Sequence, residues 1–131
     1  MNKEIFKSGR YFTVFDYSVS HGQLLLRSDK IKGYKENIDI IFYDTTFVQL
    51  FTMLYGVSIS LADKKEIITY NSVREYFSYD NKNLFEIESK GEKYYIAASF
   101  VRVFENQLEF NESSINVEGG KENEIATSLI V

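Results

Sequence analysis

His21 is the only histidine in the chain, and it could serve as the general base of a Ser-His-Asp hydrolase. Ser18 and Ser20 precede it as candidate nucleophiles, while Asp16 and Asp39 are candidate acids. A triad is assembled in space rather than along the chain, so closeness in sequence gives it no support. The chain also lacks the G-x-S-x-G motif that exposes a nucleophilic serine. Because a His-Gly pair favours a tight hairpin turn, we expect His21 to be a turn residue and predict no catalytic site.

Three aspartates lie on or beside apolar strands and could provide the paired carboxylates of a glycoside hydrolase. They are Asp16, Asp39 and Asp44. Asp39 stands between two isoleucines and is the carboxylate to examine first. Since outward-facing acids are common on half-solvated strands, we expect Asp39 either on a solvent face or paired with Arg27.

Metal chemistry is limited by the ligands that the chain contains. Zinc and iron sites combine several histidines with cysteines or carboxylates, whereas this chain has one histidine and no cysteine. Gly119 and Gly120 lie in an acidic segment with no following helix signal, so they form no phosphate-binding loop. We therefore expect no metal and no cofactor.

Tyrosine and phenylalanine are the candidates for binding, since the chain has ten of the first and eleven of the second. Tyrosine is favoured at interfaces because it supplies a large contact area and retains a polar end. Tyr94 and Tyr95 are adjacent, so in a strand they point to opposite faces. Two interpretations stay open: the tyrosines contact a partner, or they rim the core with their hydroxyl groups in water.

Charge is distributed unevenly along the chain. Residues 105–131 contain six glutamates and one lysine, a net charge of −5, whereas the other 104 residues sum to +1. A nucleic-acid binder would show a basic stripe instead, so we expect no nucleic-acid partner. The acidic region favours a basic protein partner, with Glu109, Glu112 and Glu118 as its contacts.

Alternation of apolar and polar residues predicts a series of short strands. Residues 11–19 alternate with a period of two, and the turn at Ser20-His21-Gly22 leads into a second strand at 23–28. Leucines on both faces of this second strand indicate that it is covered on both sides. Residues 125–131 form either a last strand or a disordered tail. Further strands are predicted at 37–43, 57–61, 67–70, 73–79, 84–89, 92–104 and 108–110.

Residues 44–56 are ambiguous. Phe47, Leu50, Phe51, Leu54 and Tyr55 follow the spacing of an amphipathic helix that Gly56 could end. The same segment also fits a strand with its aromatic side chains on one face. We predict a short helix.

This pattern of about eight to ten short strands joined by turns is typical of sandwiches and barrels. The sequence therefore predicts a mainly β chain, an antiparallel β-sandwich or barrel with one or two short helices. Proline is absent and no linker divides the chain, so we expect residues 1–131 to form a single domain. We expect its acidic C-terminal segment, 111–131, to be partly mobile.

The absence of cysteine fits a reducing compartment. The first residues are charged and lack the apolar core of a signal peptide. The longest hydrophobic run, 94–98, is far shorter than the roughly 20 residues of a membrane helix. We therefore expect a cytoplasmic protein that does not associate with a membrane.

These observations favour a non-catalytic cytoplasmic protein-binding module, acting as an acidic inhibitor or immunity-type protein and able to form a homo-oligomer. Two alternatives belong to other classes. One is a β-barrel that encloses a small apolar ligand, which requires an interior cavity of roughly several hundred Å³. The other is a hydrolase that uses His21.

Overall fold

The computed structural model describes residues 3–63 and 82–129, and within them nine strands form one antiparallel sheet. The strands predicted at 67–70 and 73–79 lie outside the described residues. A 3₁₀ helix, Lys30–Lys32, is the only helix in the described part of the chain, where no helix is long and apolar enough to span a membrane. The strands are β1 (Lys3–Ser18), β2 (Gln23–Ser28), β3 (Asn37–Tyr43), β4 (Phe47–Gln49), β5 (Met53–Ala62), β6 (Asn83–Ser89), β7 (Glu92–Ala98), β8 (Phe100–Asn106) and β9 (Asn123–Thr127).

The mainly β prediction is confirmed. Strand order in the sheet is β4-β7-β6-β5-β1-β2-β3-β8-β9, so the long strand β1 lies at its centre and pairs with both β2 and β5. Strands β4 and β9 are the two edges of the described sheet. The sheet is therefore not closed into a barrel, and that part of the prediction is wrong. Its outermost strands are only three and five residues long.

The main core lies on one face of the sheet. Phe42 in β3 and Phe85 in β6 meet there edge-on, with their ring centroids 5.7 Å apart. The opposite face carries two smaller buried clusters, one of which includes Leu25 of β2. Leu24 and Leu26 of the same strand belong to the main core. The prediction that β2 is covered on both sides is confirmed.

The helix predicted for residues 44–56 is wrong. Backbone amides at its start are used elsewhere, because the Thr45 amide donates to Gly22 at 2.9 Å and the Thr46 amide donates to Ala97 at 2.9 Å. The segment forms β4, a turn and the start of β5. Gly56 takes a left-handed φ of +83° inside β5, opposite a bulge in β1, and not at a helix end. Helical spacing predicts the wrong element because a strand, a turn and a second strand also place Leu50 and Leu54 against the core.

Three other boundaries differ from the predictions. The strand predicted at 92–104 is two strands, separated at Ser99, whose amide donates to the Tyr43 carbonyl at 2.9 Å. Residues 108–110 lie in a turn-rich segment and form no strand. The last strand begins at Asn123, two residues before the predicted strand or tail.

Asp44 shapes the connection between β3 and β4. It has a left-handed φ of +55°, and its Oδ2 accepts hydrogen bonds from Lys82 Nζ and, at 2.8 Å, from Ser99 Oγ. The Lys82 and Ser99 hydrogen bonds lower the pKa of the Asp44 carboxyl below its ordinary value. Asparagine tolerates a left-handed φ, so it can replace the charge without added backbone strain.

Asp44→Asn is expected to remove part of the acid sensitivity of folding. Because the folded-state pKa of Asp44 is lowered, the carboxylate stabilises the fold above about pH 4, and this stability is lost as the pH falls through the folded pKa. Relative to the unmodified chain, the variant should have a lower urea midpoint near neutral pH and a similar midpoint in acid. If the urea midpoints of the variant and the unmodified chain differed equally at neutral and acid pH, the prediction would be contradicted. Glu118→Gln, at an exposed carboxylate, is the matched control.

Candidate functional site

His21 lies in the exposed turn between β1 and β2, as predicted. Its Nδ1 is 3.0 Å from Ser20 Oγ, which is 3.2 Å from Ser18 Oγ. None of the hydrogen bonds found among the described residues joins His21 to a carboxylate. Asp16 instead accepts from Ser113 Oγ at 2.5 Å and thereby holds the segment 107–122 against β1.

Asp39 is fully buried and pairs with Arg27, the second of the two surroundings predicted for it. Arg27 Nε and Nη2 donate to its two carboxylate oxygens at 2.7 and 2.9 Å. Two parallel bonds between charged groups are the strongest geometry available to this pair. Asn106 Nδ2 donates a third bond to Asp39 at 2.9 Å. The three side chains join adjacent strands β2, β3 and β8.

The same network reaches the segment 107–122. Asn106 Nδ2 also donates to the Gly120 carbonyl at 3.1 Å, and Asn37 Nδ2 donates to the Leu108 carbonyl at 2.9 Å. A Cβ built on Gly120 would lie 2.7 Å from the Ser114 Cβ, closer than side chains can approach. The segment therefore packs tightly over the outer face of β2, β3 and β8, which is the face opposite the main core.

Arg27 has one nitrogen outside this network. Its guanidinium lies over the Phe15 ring at 4.2 Å, and the side chain is 2% exposed. Nη1 is buried and finds no hydrogen-bond acceptor in the described part of the chain. An unsatisfied buried donor costs about 1–3 kcal/mol.

Tyr94 and Tyr95 point to opposite faces of β7, and both are half-buried. Tyr94 packs on the main core and meets Phe51 edge-on at 5.7 Å. Tyr95 packs on the small cluster of Ala62 and Leu84. Both rings therefore lie against buried clusters of the core.

The three predicted glutamates have different surroundings. Glu109 is exposed and its carboxylate lies 3.9 Å from Lys30 Nζ. Glu112 is half-buried and accepts a hydrogen bond from the Glu109 amide at 2.8 Å, which closes a turn. Glu118 is exposed. Glu109 and Glu118 are the two that present charge to solvent.

A surface that we call the aromatic strip was not predicted. Its residues are Tyr11, Tyr34, Phe51, Met53 and Tyr55, and the last four are 45–66% exposed. The Tyr11 and Tyr55 rings lie 4.9 Å apart, and Tyr11 Oη lies 3.3 Å from Met53 Sδ. Tyr11, Met53 and Tyr55 alternate with the core residues Phe12 and Leu54 and so lie on the opposite face of β1 and β5, at the level where β1 has its bulge. Phe51 precedes β5 and packs beside Tyr94.

Two cations and two grooves accompany the aromatic strip. The Arg10 guanidinium lies 3.7 Å from the Tyr34 ring centre, and Lys90 Nζ lies 4.7 Å from that of Tyr55. A groove of about 630 Å³ runs from residues 51–55 to residues 89–94. A second, of about 410 Å³, lies between Tyr11, Tyr34 and Tyr55. Tyr55 lines both, so the two grooves adjoin.

One sequence signal for the strip existed. As a strand, residues 51–55 place Phe51, Met53 and Tyr55 on one face. The strand alternative for 44–56 contains this alternation, whereas the helix predicted for the segment does not.

Within the described residues, no group of three or more histidine, aspartate or glutamate side chains is placed to hold a metal ion. Comparison with protein-family models, curated proteins and solved structures finds no match to this chain. The function is therefore argued from the residues themselves.

Asp39→Leu is expected to lower the free energy of unfolding by about 3–5 kcal/mol, because it leaves the Arg27 charge buried without its partner. The double variant Asp39→Leu with Arg27→Met removes both charges and should recover most of that loss. Urea unfolding measures both values.

Glu124→Gln is the matched control for this prediction. Glu124 of β9 pairs with Arg102 Nε of β8 at 2.5 Å, so this pair also joins two adjacent strands. Both side chains are about one-third exposed. Its loss should cost no more than about 1 kcal/mol. An Asp39→Leu cost no larger than that of the control would show that the buried pair is not important for stability.

Proposed function

We propose that this chain is a cytoplasmic, non-catalytic protein-binding module that contacts its partner through the aromatic strip. The observation that carries the proposal is the clustering of Tyr34, Phe51, Met53 and Tyr55 as large exposed side chains beside two adjoining grooves. Tyrosine, phenylalanine and methionine are enriched in the cores of protein interfaces. Tyrosine also loses little conformational entropy when it is fixed by a partner.

The partner is proposed to carry an apolar patch bordered by basic side chains. Phe110 is 64% exposed and lines a cavity with Tyr11, so it extends the strip towards the segment 107–122. Glu109 precedes it and Glu118 lies on the same acidic segment, which belongs to the region of net charge −5. Opposite charge at the edge of an apolar contact mainly raises the association rate and selects the partner. An acidic inhibitor or immunity-type protein is the concrete form of this proposal.

A further part of the proposal concerns the fold. We infer that the open sheet curves over itself as a sandwich of two layers. Three strands separate β3 from β6 in the sheet order, yet Phe42 and Phe85 are in contact. Ala126 of β9 packs on the same main core, which supports this interpretation.

Phe51→Ser with Tyr55→Ser is expected to weaken partner binding by about thirtyfold or more, because losing even one residue at the centre of an interface costs about 2 kcal/mol. The partner is first captured by cross-linking in the native cell, purified, and titrated by calorimetry. Val19→Ser removes a side chain that is 84% exposed in the β1–β2 turn and is the matched control. Equal affinity of the strip variant and this control would contradict the proposal.

The charge contribution has its own test. Glu109→Lys and Glu118→Lys together should slow association and reverse its dependence on salt. An unchanged association rate would show that the partner is not basic at this edge.

Sedimentation equilibrium of the chain alone adds a further test. A dimer that the strip variant dissociates would place a second copy of the chain on the strip and overturn the proposal of a separate partner.

A further inference from the structure

A further cavity, which shares Tyr11 with one of the strip grooves, lies on the face of β1 and β2 opposite the main core, between those strands and the segment 107–122. Its volume is about 220 Å³, and Tyr11, Phe15 and Phe110 form aromatic walls. The Phe15 and Phe110 rings meet edge-on at 6.0 Å, which closes one side. An apolar cavity of about 150 Å³ is large enough to hold benzene. This cavity therefore has room for one aromatic ring with a short substituent.

Arg27 lines the same cavity and supplies its unusual polar group. Asp39 takes the Nε and Nη2 edge of the guanidinium, and the Phe15 ring covers one face. Nη1 is the nitrogen left without an acceptor among the described residues. Because Nη1 has almost no surface that water can reach, an acceptor must enter the cavity and displace part of its wall to bond with it.

Charge around the cavity selects the kind of acceptor. The Arg27 charge is already balanced by Asp39 at 2.7 Å. Asp29 also lines the cavity, and its Oδ1 accepts the Ile31 amide at 2.8 Å as the cap of the 3₁₀ helix. Arg27 and the two carboxylates nearest to it, Asp39 and Asp29, together carry a net negative charge. A carboxylate ligand would be repelled, whereas a neutral carbonyl oxygen would satisfy Nη1 without that repulsion.

The mouth of the cavity is apolar. Ile31 and Phe110 stand at its edge and are 70% and 64% exposed. A ligand seated between them would remove part of this apolar surface from water, which contributes favourably to binding.

We propose that this cavity binds a small neutral molecule consisting of an aromatic ring and one carbonyl group, with the carbonyl oxygen accepting from Arg27 Nη1. This site goes beyond the protein-binding function proposed above. It uses the acceptor-free Arg27 nitrogen and the walls from β1 and residue 110, and it requires none of Phe51, Met53 or Tyr55.

The proposal is tested with three probes of similar size: acetophenone, ethylbenzene and benzoate. Each is titrated into the ¹⁵N-labelled chain and followed by NMR. Acetophenone should shift the Arg27 side-chain resonances and the amides of Thr13 and Phe110. Ethylbenzene lacks the acceptor and should bind about tenfold more weakly. Benzoate should bind more weakly than acetophenone because of the net negative charge.

Changing the probe tests the Arg27 donor without disturbing the fold, which matters because Arg27 also holds Asp39. Two variants test the location. Thr13→Leu fills the cavity from β1 and should abolish acetophenone binding. Phe51→Ser changes the strip at a ring that packs on Tyr94 and should leave acetophenone binding unaltered, which separates this proposal from the protein-binding one.

Three results would overturn the proposal. Equal affinities for acetophenone and ethylbenzene would show that Nη1 makes no bond to the ligand. Tighter binding of benzoate than of acetophenone would show that the site prefers an anionic ligand to a neutral one. Shifts that map to Tyr55 and Phe51 in place of Thr13 and Phe110, or no shifts with any probe, would show that the cavity is not a binding site.

Discussion

The buried pair of Arg27 and Asp39 is the interaction on which the outer face of the sheet depends. Removing two charges from water is costly, and bonds of 2.7 and 2.9 Å with a third from Asn106 offset that cost only in one geometry. A slip of one residue between β2 and β3 would turn Asp39 towards the main core and leave it unpaired. The pair therefore makes alternative registers of β2 and β3 unfavourable.

The surfaces available for binding follow from this pair. Through Asn106 and Gly120 it fixes the segment 107–122, which carries Phe110 to the mouth of the Arg27 cavity. Bidentate pairing with Asp39 also leaves Nη1 as the nitrogen with a free bonding direction. The stability of the sheet and the chemistry of the cavity thus depend on the same side chain. The aromatic strip lies beyond the cavity and is connected to it by Tyr11.

The sequence predicts local elements well and the assembled surfaces poorly. Strands β2 and β3 are predicted to the residue, because short apolar runs bounded by turn residues are typical of strands buried on both faces. The contact between Arg27 and Asp39 was one of two predicted alternatives, since both residues lie on neighbouring strands. The helix predicted for residues 44–56 is wrong because two strands joined by a turn can produce the same spacing of apolar residues. The aromatic strip combines Tyr11, Tyr34 and Phe51 from separate segments, so only the strand register brings these side chains together.

Charges of both signs lie beside the strip, and their placement bears on how a partner would be oriented. Arg10 and Lys90 stack on Tyr34 and Tyr55, which keeps a hydrated charge beside each exposed ring. Glu109 adjoins Phe110, which extends the strip, and its carboxylate lies 3.9 Å from Lys30 Nζ. A partner docked in the reverse orientation would bring like charges together and lose affinity. The apolar side chains would then supply most of the binding energy, while the charges would favour a single orientation.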